Sequence, residues 1–326
     1  MKLKLFDEQI ARHPNNYPWT EDIIKSMWTN PWTPYEFNFK SDLHDFRTIL
    51  TEQEQGIIVR NLSAIGQIEI AVKKFWSRLG DNLPHPSITD MGLVMANVEV
   101  VHNKAYEKLL QVLGLTDEFE KNLKLDIISG RVKYLRKYLD KQYKDNKKQY
   151  IYSLVLFTLF VENVSLFSQF YTVFWFGRNK NCLKDTNNQV LYTTKEELIH
   201  GQAGTMIINT LKYEYPELFD AELEARVLHE AEEAFKCESK IIDWIIGDYN
   251  QSSLNADVLK EYVKQRINES LEGIGYKKLY KIDIKLAKDM EWMDEEVLGN
   301  IRTDFFFKKP TEYSKNTKSF KSSELF

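Results

Sequence analysis

Apolar residues recur at helical spacing along most of this 326-residue chain. The run Thr51-Glu-Gln-Glu54 has the spacing of a capping box, so it predicts the start of a helix, which closes near Gly80. A second helical stripe begins around residues 87–89 and ends near Gly114. Both stripes carry ionisable side chains on their apolar faces. These are Glu69 in the first stripe and Glu99, His102 and Tyr106 in the second.

A continuous apolar and aromatic stretch covers residues 151–176. It is long enough to cross a membrane, but Glu162 and Asn163 lie at its centre, where a charge is costly in lipid. The pattern therefore predicts a helix buried on all sides within a bundle.

The polar residues 178–192 that follow the apolar stretch predict a loop. Thr194-Lys-Glu-Glu197 then has capping-box spacing and predicts the start of the next helix. Gly201 and Gly204 share one face of that helix, where small residues allow a neighbour to approach closely. Further amphipathic helices are predicted over 217–247, 253–272 and 276–296.

Composition supports a mainly helical protein. The chain has only 13 Gly and 8 Pro, which favours long uninterrupted helices over turn-rich β structure. We predict one all-α domain over residues 1–326, a bundle of about eight long helices. Residues 1–50 are Pro-punctuated and aromatic, as in an ordered arm laid on a bundle. Residues 310–326, rich in Lys and Ser, predict a flexible tail.

Charge and cysteine content exclude several classes of protein. A net charge of -4 and a pI of about 6.0 give no basic footprint for nucleic acid or an anionic membrane surface. Cys182 and Cys237 lie far apart, and the charged residues after Met1 do not resemble a signal peptide. The prediction is a reduced cytoplasmic protein without a disulfide.

The pattern with the most chemical content is a repeated Glu-x-x-His, at Glu99–His102 and Glu197–His200. Positions i and i+3 share a helix face, so each copy presents a carboxylate and an imidazole to one point. A lone glutamate precedes each copy: Glu69 lies 30 residues before Glu99, and Glu162 lies 35 before Glu197. This is the ligand arrangement of a carboxylate-bridged two-metal centre in a ferritin-like bundle.

Metal binding explains why ionisable side chains lie on apolar stripes. Buried glutamates would otherwise take up protons, whereas two divalent cations cancel four carboxylate charges. Oxygen ligands with two imidazoles suit iron or manganese better than a thiolate-rich or closed tetrahedral zinc site. The alternative is a chance motif, with glutamates held by other hydrogen bonds. His13, His44, His85 and His229 lack a glutamate partner at this spacing and are read as structural or surface residues.

At these residues the chain resembles the small (β) subunit of class I ribonucleotide reductase over nearly its whole length. The matching features are Asn30-Pro-Trp32-Thr-Pro34, Asn61-Leu-Ser before Glu69, Glu99-x-x-His102-x-x-x-Tyr106, Glu162-x-x-x-Leu166-x-x-x-Phe170, Glu196-Glu197-x-x-His200 and Asp304-Phe-Phe-Phe-Lys-Lys-Pro-Thr-Glu-Tyr313. The resemblance implies a ferritin-like homodimer whose dimetal centre generates an oxidant. A cysteine in a separate catalytic (alpha) subunit receives that oxidant and starts ribonucleotide reduction.

The resemblance also assigns roles by position. Six residues are expected to be metal ligands: Glu69, Glu99, His102, Glu162, Glu197 and His200. Trp32 and Glu196 are expected beside the metals on the radical-transfer route, and Tyr313 at the subunit interface. The terminal Ser-Ser-Glu-Leu-Phe resembles the docking peptide for the catalytic subunit. Simpler readings stay open: Trp32 as a packing aromatic, Tyr313 as a tail tyrosine, and Glu196 as a first-turn carboxylate favoured by the helix dipole.

Several features bear on the subclass. Many family members store a tyrosyl radical at the position of Tyr106, but the common ones have aspartate where this chain has Glu69, and often phenylalanine where it has Leu166. Glutamate there resembles subclasses that keep the oxidant on the metals. The retained tyrosine disfavours a manganese/iron centre. The intact ligand positions exclude the metal-free subclass. The resemblance thus favours dimanganese, with diiron and manganese/iron as alternatives.

Two other functions use similar bundles. A ferritin-like oxygenase or oxidase acting on its own substrate would have the same centre, but it would need neither Trp32, nor Tyr313, nor a docking tail. A storage or structural bundle would need neither this length nor the aromatic arm.

Overall fold

The computed structural model describes residues 3–29, 31–131 and 146–307, with side chains at all of these except 69–71 and 298–307. Its α-helices are α1 (Trp19–Thr29), α2 (Lys40–Thr48), α3 (Glu52–Ser77), α4 (Leu79–Asn82), α5 (Pro86–Leu113), α6 (Thr116–Asn122), α7 (Lys147–Leu156), α8 (Phe167–Lys180), α9 (Lys184–Glu214), α10 (Ala221–Ile246), α11 (Ala256–Gly273) and α12 (Ile284–Phe307). A π-helix, Phe157–Ser165, joins α7 to α8, and a 3-10 turn, Pro216–Leu218, follows α9.

The long helices pack side by side around one apolar core. Helix α3 lies along α5, while the π-helix lies against α9 on one side and α11 on the other. Helix α10 contacts α3, α7 and α11, and the short helices α1 and α2 cover α5 and α9. Within the described ranges the β structure is limited to an isolated bridge between Gln251 and Leu254. The all-α prediction is therefore confirmed.

Local sequence signals set the ends of the first two long helices. The Thr51 hydroxyl accepts a hydrogen bond from the Glu54 backbone N–H, and the Glu54 carboxylate accepts one from the Thr51 N–H. This is the capping box that the sequence predicted. Helix α5 has Pro86 in its first turn and is followed by Gly114, whose φ of 73° is the left-handed conformation that glycine adopts without strain.

The apolar stretch 151–176 lies in the core, as predicted. Residues Lys147–Lys180 form a helix long and apolar enough to cross a membrane, yet 94% of its most apolar window is buried inside the protein. The burial accounts for the apolar composition, because neighbouring helices surround the segment on all sides.

The predicted start of the helix containing Glu197 was wrong. Helix α9 begins at Lys184, ten residues before the predicted capping box, and Thr194 lies inside it with its hydroxyl donating to the Val190 carbonyl. Residues from α2 cap this helix. The Asp42 carboxylate accepts hydrogen bonds from the backbone N–H groups of Asp185 and Thr186 and from the Thr186 hydroxyl. These partners are more than 140 residues apart in sequence.

The Asp42 cap leads to a stability prediction. Asp42 is fully buried, so Asp42→Ala would leave buried donors at the start of α9 without an acceptor and remove an anion from a helix N-terminus. We expect a loss of about 2–3 kcal/mol in the free energy of unfolding, measured by urea denaturation. Glu107→Ala removes an exposed carboxylate from α5 and should change that energy by less than about 0.5 kcal/mol. Equal effects of the two substitutions would contradict the capping role.

The structure bears on some of the remaining predictions but does not describe the residues needed for others. Cys182 and Cys237 are both free thiols, and the sequence analysis predicted no disulfide between them. The N-terminal arm contains the helices α1 and α2. The division into a single domain with an arm and a tail stays a prediction, and residues 310–326 lie outside the described part of the chain.

Candidate metal centre

Three carboxylates and one imidazole meet in the middle of the bundle. Glu99, Glu162, Glu197 and His200 each offer one ligand atom, and these atoms all lie within 4.8 Å of one another. All four side chains are buried. They come from α5, the π-helix and α9, so three elements distant in sequence supply one cluster.

Glu99 lies between the two imidazoles of the repeated motif. Its Oε1 is 3.0 Å from His200 Nδ1, and its Oε2 is 3.5 Å from His102 Nδ1. Glu197 also faces both rings, with Oε1 3.2 Å from His102 Nδ1 and Oε2 3.3 Å from His200 Nδ1. The ring centroids of the two histidines are 6.3 Å apart. The two copies of Glu-x-x-His therefore face each other across a shared pair of carboxylates.

The close packing of these buried side chains shifts their pKa values. Burial raises the pKa of Glu162 well above its ordinary value, and the negative charge of Glu197 raises it further. Burial also opposes ionisation of Glu197, but the neighbouring imidazoles outweigh burial and lower its pKa. Burial lowers the pKa of His200, but the charge of Glu197 and bonds to the carboxylates raise it well above its usual range. Protons thus offset part of the carboxylate charge, and bound cations would displace them.

The donor set fits divalent metal ions. Within the described residues, both Glu99 oxygens and Oε1 of Glu197 are buried without a well-directed hydrogen bond. Carboxylate oxygens facing imidazole nitrogens at 3.0–3.5 Å need a proton or a cation between them. The mixture of carboxylates and imidazoles suits iron or manganese. The cluster can therefore hold metal ions of the kind that the sequence predicted.

The π-helix presents Glu162 to the cluster. Side chains also donate hydrogen bonds to carbonyls of this segment. The Asn163 amide donates to the Thr158 carbonyl, the Ser165 hydroxyl to the Phe160 carbonyl, and Arg266 Nε to the Asn163 carbonyl. Such π segments are frequent at functional sites.

The glycines of α9 bring that helix against the π-helix. A Cβ on Gly201 would lie 2.0 Å from Asn163 Oδ1, and one on Gly204 would lie 2.2 Å from Thr158 Cγ2. The predicted close approach at these glycines is confirmed, and the neighbour is the segment that carries Glu162.

A hydrogen-bonded chain leads from the cluster towards the surface. Trp32 Nε1 donates to Glu196 Oε2 at 2.9 Å, and His102 Nε2 lies 2.6 Å from the same oxygen. The Trp32 and His102 rings are stacked, with centroids 6.1 Å apart. A neutral His102 with its proton on Nε2 would donate to Glu196 and present the lone pair of Nδ1 to a cation in the carboxylate cluster.

Trp32 and Glu196 also border a cavity of about 300 Å³. Met27 and Trp28 of α1 line it, together with Leu93 and Val94 of α5. Trp28 and Leu93 are exposed, so this end of the hydrogen-bonded chain lies close to the outside of the protein.

The structure describes the remaining predicted site residues only in part. Tyr106 is buried one helical turn beyond His102. Glu69 belongs to α3, but its side chain is outside the described part of the structure, so its role as a ligand stays a prediction. Tyr313 is outside the described residues altogether.

Sequence reasoning missed the part played by Trp76. Its spacing on α3 is that of an apolar core residue, yet its Nε1 donates to Glu162 Oε1 at 2.8 Å. The residue is fully buried, and its ring centroid lies 5.6 Å from that of His200. Its position seven residues after Glu69, on the same helix face, was the available signal.

The family model and two relatives that match this chain describe the same family of proteins. The family model described as "Ribonucleotide reductase, small chain" matches residues 10–288. The ribonucleoside-diphosphate reductase subunit beta of Halalkalibacterium halodurans is 27% identical over 306 residues, which cover 92% of this chain and 87% of that protein. The subunit beta of Treponema pallidum is 24% identical over 306 residues, covering 92% and 86%.

Solved structures share the fold. The ribonucleotide reductase R2 subunit from Clostridium botulinum superposes with a TM-score of 0.77 at 20% identity, covering 86% of this chain and 88% of that one. The dimanganese(II)-NrdF from Streptococcus sanguinis gives a TM-score of 0.74 at 13% identity, covering 87% and 100%. The helical bundle described above is thus the arrangement of these proteins.

Proposed function

This chain belongs to the ribonucleotide reductase small-chain family, and on that basis we propose how its own residues carry out the family's task. It is the small subunit of a ribonucleoside-diphosphate reductase, an oxidoreductase that works with a separate catalytic subunit. The observation that carries the proposal is the buried Glu/His cluster joined to Trp32 through Glu196.

The proposed ligands are Glu99, His102, Glu162, Glu197 and His200, together with Glu69. Glu99 and Glu197 each face both imidazoles, so they are suited to bridge two ions. When bound, two redox-active metal ions would supply the one-electron oxidant. The surrounding bundle excludes water from these buried side chains, which protects an oxidising equivalent from quenching.

The hydrogen bonds of Glu196 support the exit route. Glu196 Oε2 accepts from Trp32 Nε1 and lies 2.6 Å from His102 Nε2, so a proton and an electron can move between these groups with little rearrangement. Trp32 would pass the oxidant onward, and Tyr313 would relay it across the subunit interface. The terminal residues 322–326 would dock on the catalytic subunit. We also expect a homodimer in the cytoplasm.

For the metals we favour dimanganese, with Tyr106 as a buried neighbour and not the radical store. Glu69 in place of the aspartate of common tyrosyl-radical members supports this choice. The Streptococcus sanguinis protein contains a dimanganese(II) centre, but its likeness to this chain extends only to the fold. Iron and manganese accept the same ligands, so metal supply also influences which is bound.

Metal analysis combined with electron paramagnetic resonance tests this proposal. Protein activated under native conditions should contain two manganese ions per chain, and its spectrum should lack a tyrosyl radical. A sharp tyrosyl signal together with iron would overturn the metal assignment and would leave the subunit assignment intact. Failure to bind any metal would overturn both.

A further inference from the structure

Glu162 is held differently from the other carboxylates of the cluster. Its Oε2 faces His200 Nδ1 at 3.6 Å, whereas its Oε1 accepts the indole hydrogen bond of Trp76 at 2.8 Å. One oxygen is thus directed to the candidate metal site and the other to a neutral donor. Glu99 and Glu197, by contrast, direct both of their oxygens towards the imidazoles.

The Trp76 ring has little freedom to turn away. Phe157 and Phe75, which stack on each other with centroids 3.6 Å apart, both pack edge-on against Trp76 at 5.5 and 5.4 Å. The backbone of α5 also packs closely on Trp76, because a Cβ on Gly92 would lie 2.5 Å from the Trp76 carbonyl oxygen. The direction of the indole N–H is therefore set by packing.

We propose that Trp76 is a positioning residue that limits Glu162 to one metal-binding oxygen. Because Oε1 accepts the indole N–H, Oε2 is the Glu162 oxygen that would be presented first to an ion. Chelation through both oxygens, or a shift into a bridging position, would have to turn the carboxylate against the direction that the indole hydrogen bond sets. Trp76 would thereby limit the number of coordination positions that Glu162 takes at an ion beside His200. The inference rests on the proposed dimetal site.

The π-helix carries Glu162 opposite Trp76. Phe157 begins the π-helix and Glu162 lies within it, and two of its carbonyls accept hydrogen bonds from side chains of the same segment. Trp76, on the neighbouring helix α3, holds Oε1 of Glu162 in one direction through the indole hydrogen bond.

Trp76→Phe, which removes the N–H and keeps an aromatic ring, tests the proposal. The variant should still bind two manganese ions per chain. We expect its manganese(II) resonance spectrum to change, and the infrared carboxylate stretches to move closer together, as they do when a carboxylate changes from one-oxygen to two-oxygen coordination. Trp175→Phe is the matched control, because buried Trp175 donates to Ser253 Oγ instead of a cluster carboxylate. It should leave both spectra unchanged.

A second variant separates positioning from folding. Benzothienylalanine at position 76 preserves the shape of the indole and replaces its N–H with sulfur, so it should reproduce the spectral change without a loss of thermal stability. Unchanged spectra in both Trp76 variants, with two ions bound, would overturn the inference and leave the dimetal site standing. If the unmodified protein binds no metal pair, the proposed function itself fails.

Discussion

Trp32→Phe should abolish ribonucleotide reduction while leaving the metals in place. Trp32 contacts the centre through its hydrogen bond to Glu196 and its stacking on His102, but it is not itself a proposed metal ligand. Phenylalanine cannot donate that bond, and its ring is much harder to oxidise than indole. We expect turnover with the catalytic subunit to fall at least about 100-fold, equivalent to about 2.7 kcal/mol in the activation barrier. The metal content should remain at two ions per chain.

Two further variants test whether the loss of turnover is specific to Trp32 and whether it reflects weaker binding to the catalytic subunit. Trp244→Phe changes a partly buried tryptophan on α10 and should retain turnover. Removal of residues 310–326 should also abolish turnover, by removing Tyr313 and the docking segment, but it should weaken binding to the catalytic subunit, which Trp32→Phe should not. Intact turnover in Trp32→Phe would remove Trp32 from the route. Intact activity of both variants would instead favour an oxidase with its own substrate.

Glu99→Gln should have opposite effects on metal binding and on the stability of the metal-free protein. Glutamine keeps the size of the side chain but loses the charge that faces both histidines. We expect fewer than two ions per chain after dialysis, and no turnover. Without metal, Glu99 adds to the mutual repulsion of the buried carboxylates, so removal of its charge should raise the free energy of unfolding by about 1 kcal/mol. The stabilisation that added metal gives the unmodified protein should be absent.

Metal analysis and thermal denaturation, each with and without manganese, measure these effects. Glu107→Gln, an exposed position on the same helix, is the control and should behave as the unmodified protein does. Two ions retained at unchanged affinity in Glu99→Gln would contradict the bridging role. A destabilised metal-free protein would indicate that Glu99 serves the fold and not a cation.

The sequence determined those features whose physical cause is local. The i, i+3 spacing places Glu99 beside His102 on any helix, and Thr51 with Glu54 caps α3 using atoms three residues apart. The apolar stretch 151–176 indicated a core helix, because a central glutamate is incompatible with lipid. These predictions needed only helical geometry and the cost of burying charge.

Tertiary structure decided the features that depend on distant partners. Helix α9 begins at Lys184 because Asp42, more than 140 residues earlier, satisfies its first N–H groups, and this overrides the local signal at Thr194. The single-oxygen orientation of Glu162 likewise depends on Trp76, 86 residues away. A hydrogen bond between residues so far apart forms only after helices have packed, so neither periodicity nor spacing can reveal it. The repeated motif therefore identified candidate ligands, whereas packing determined which of their oxygens face the centre.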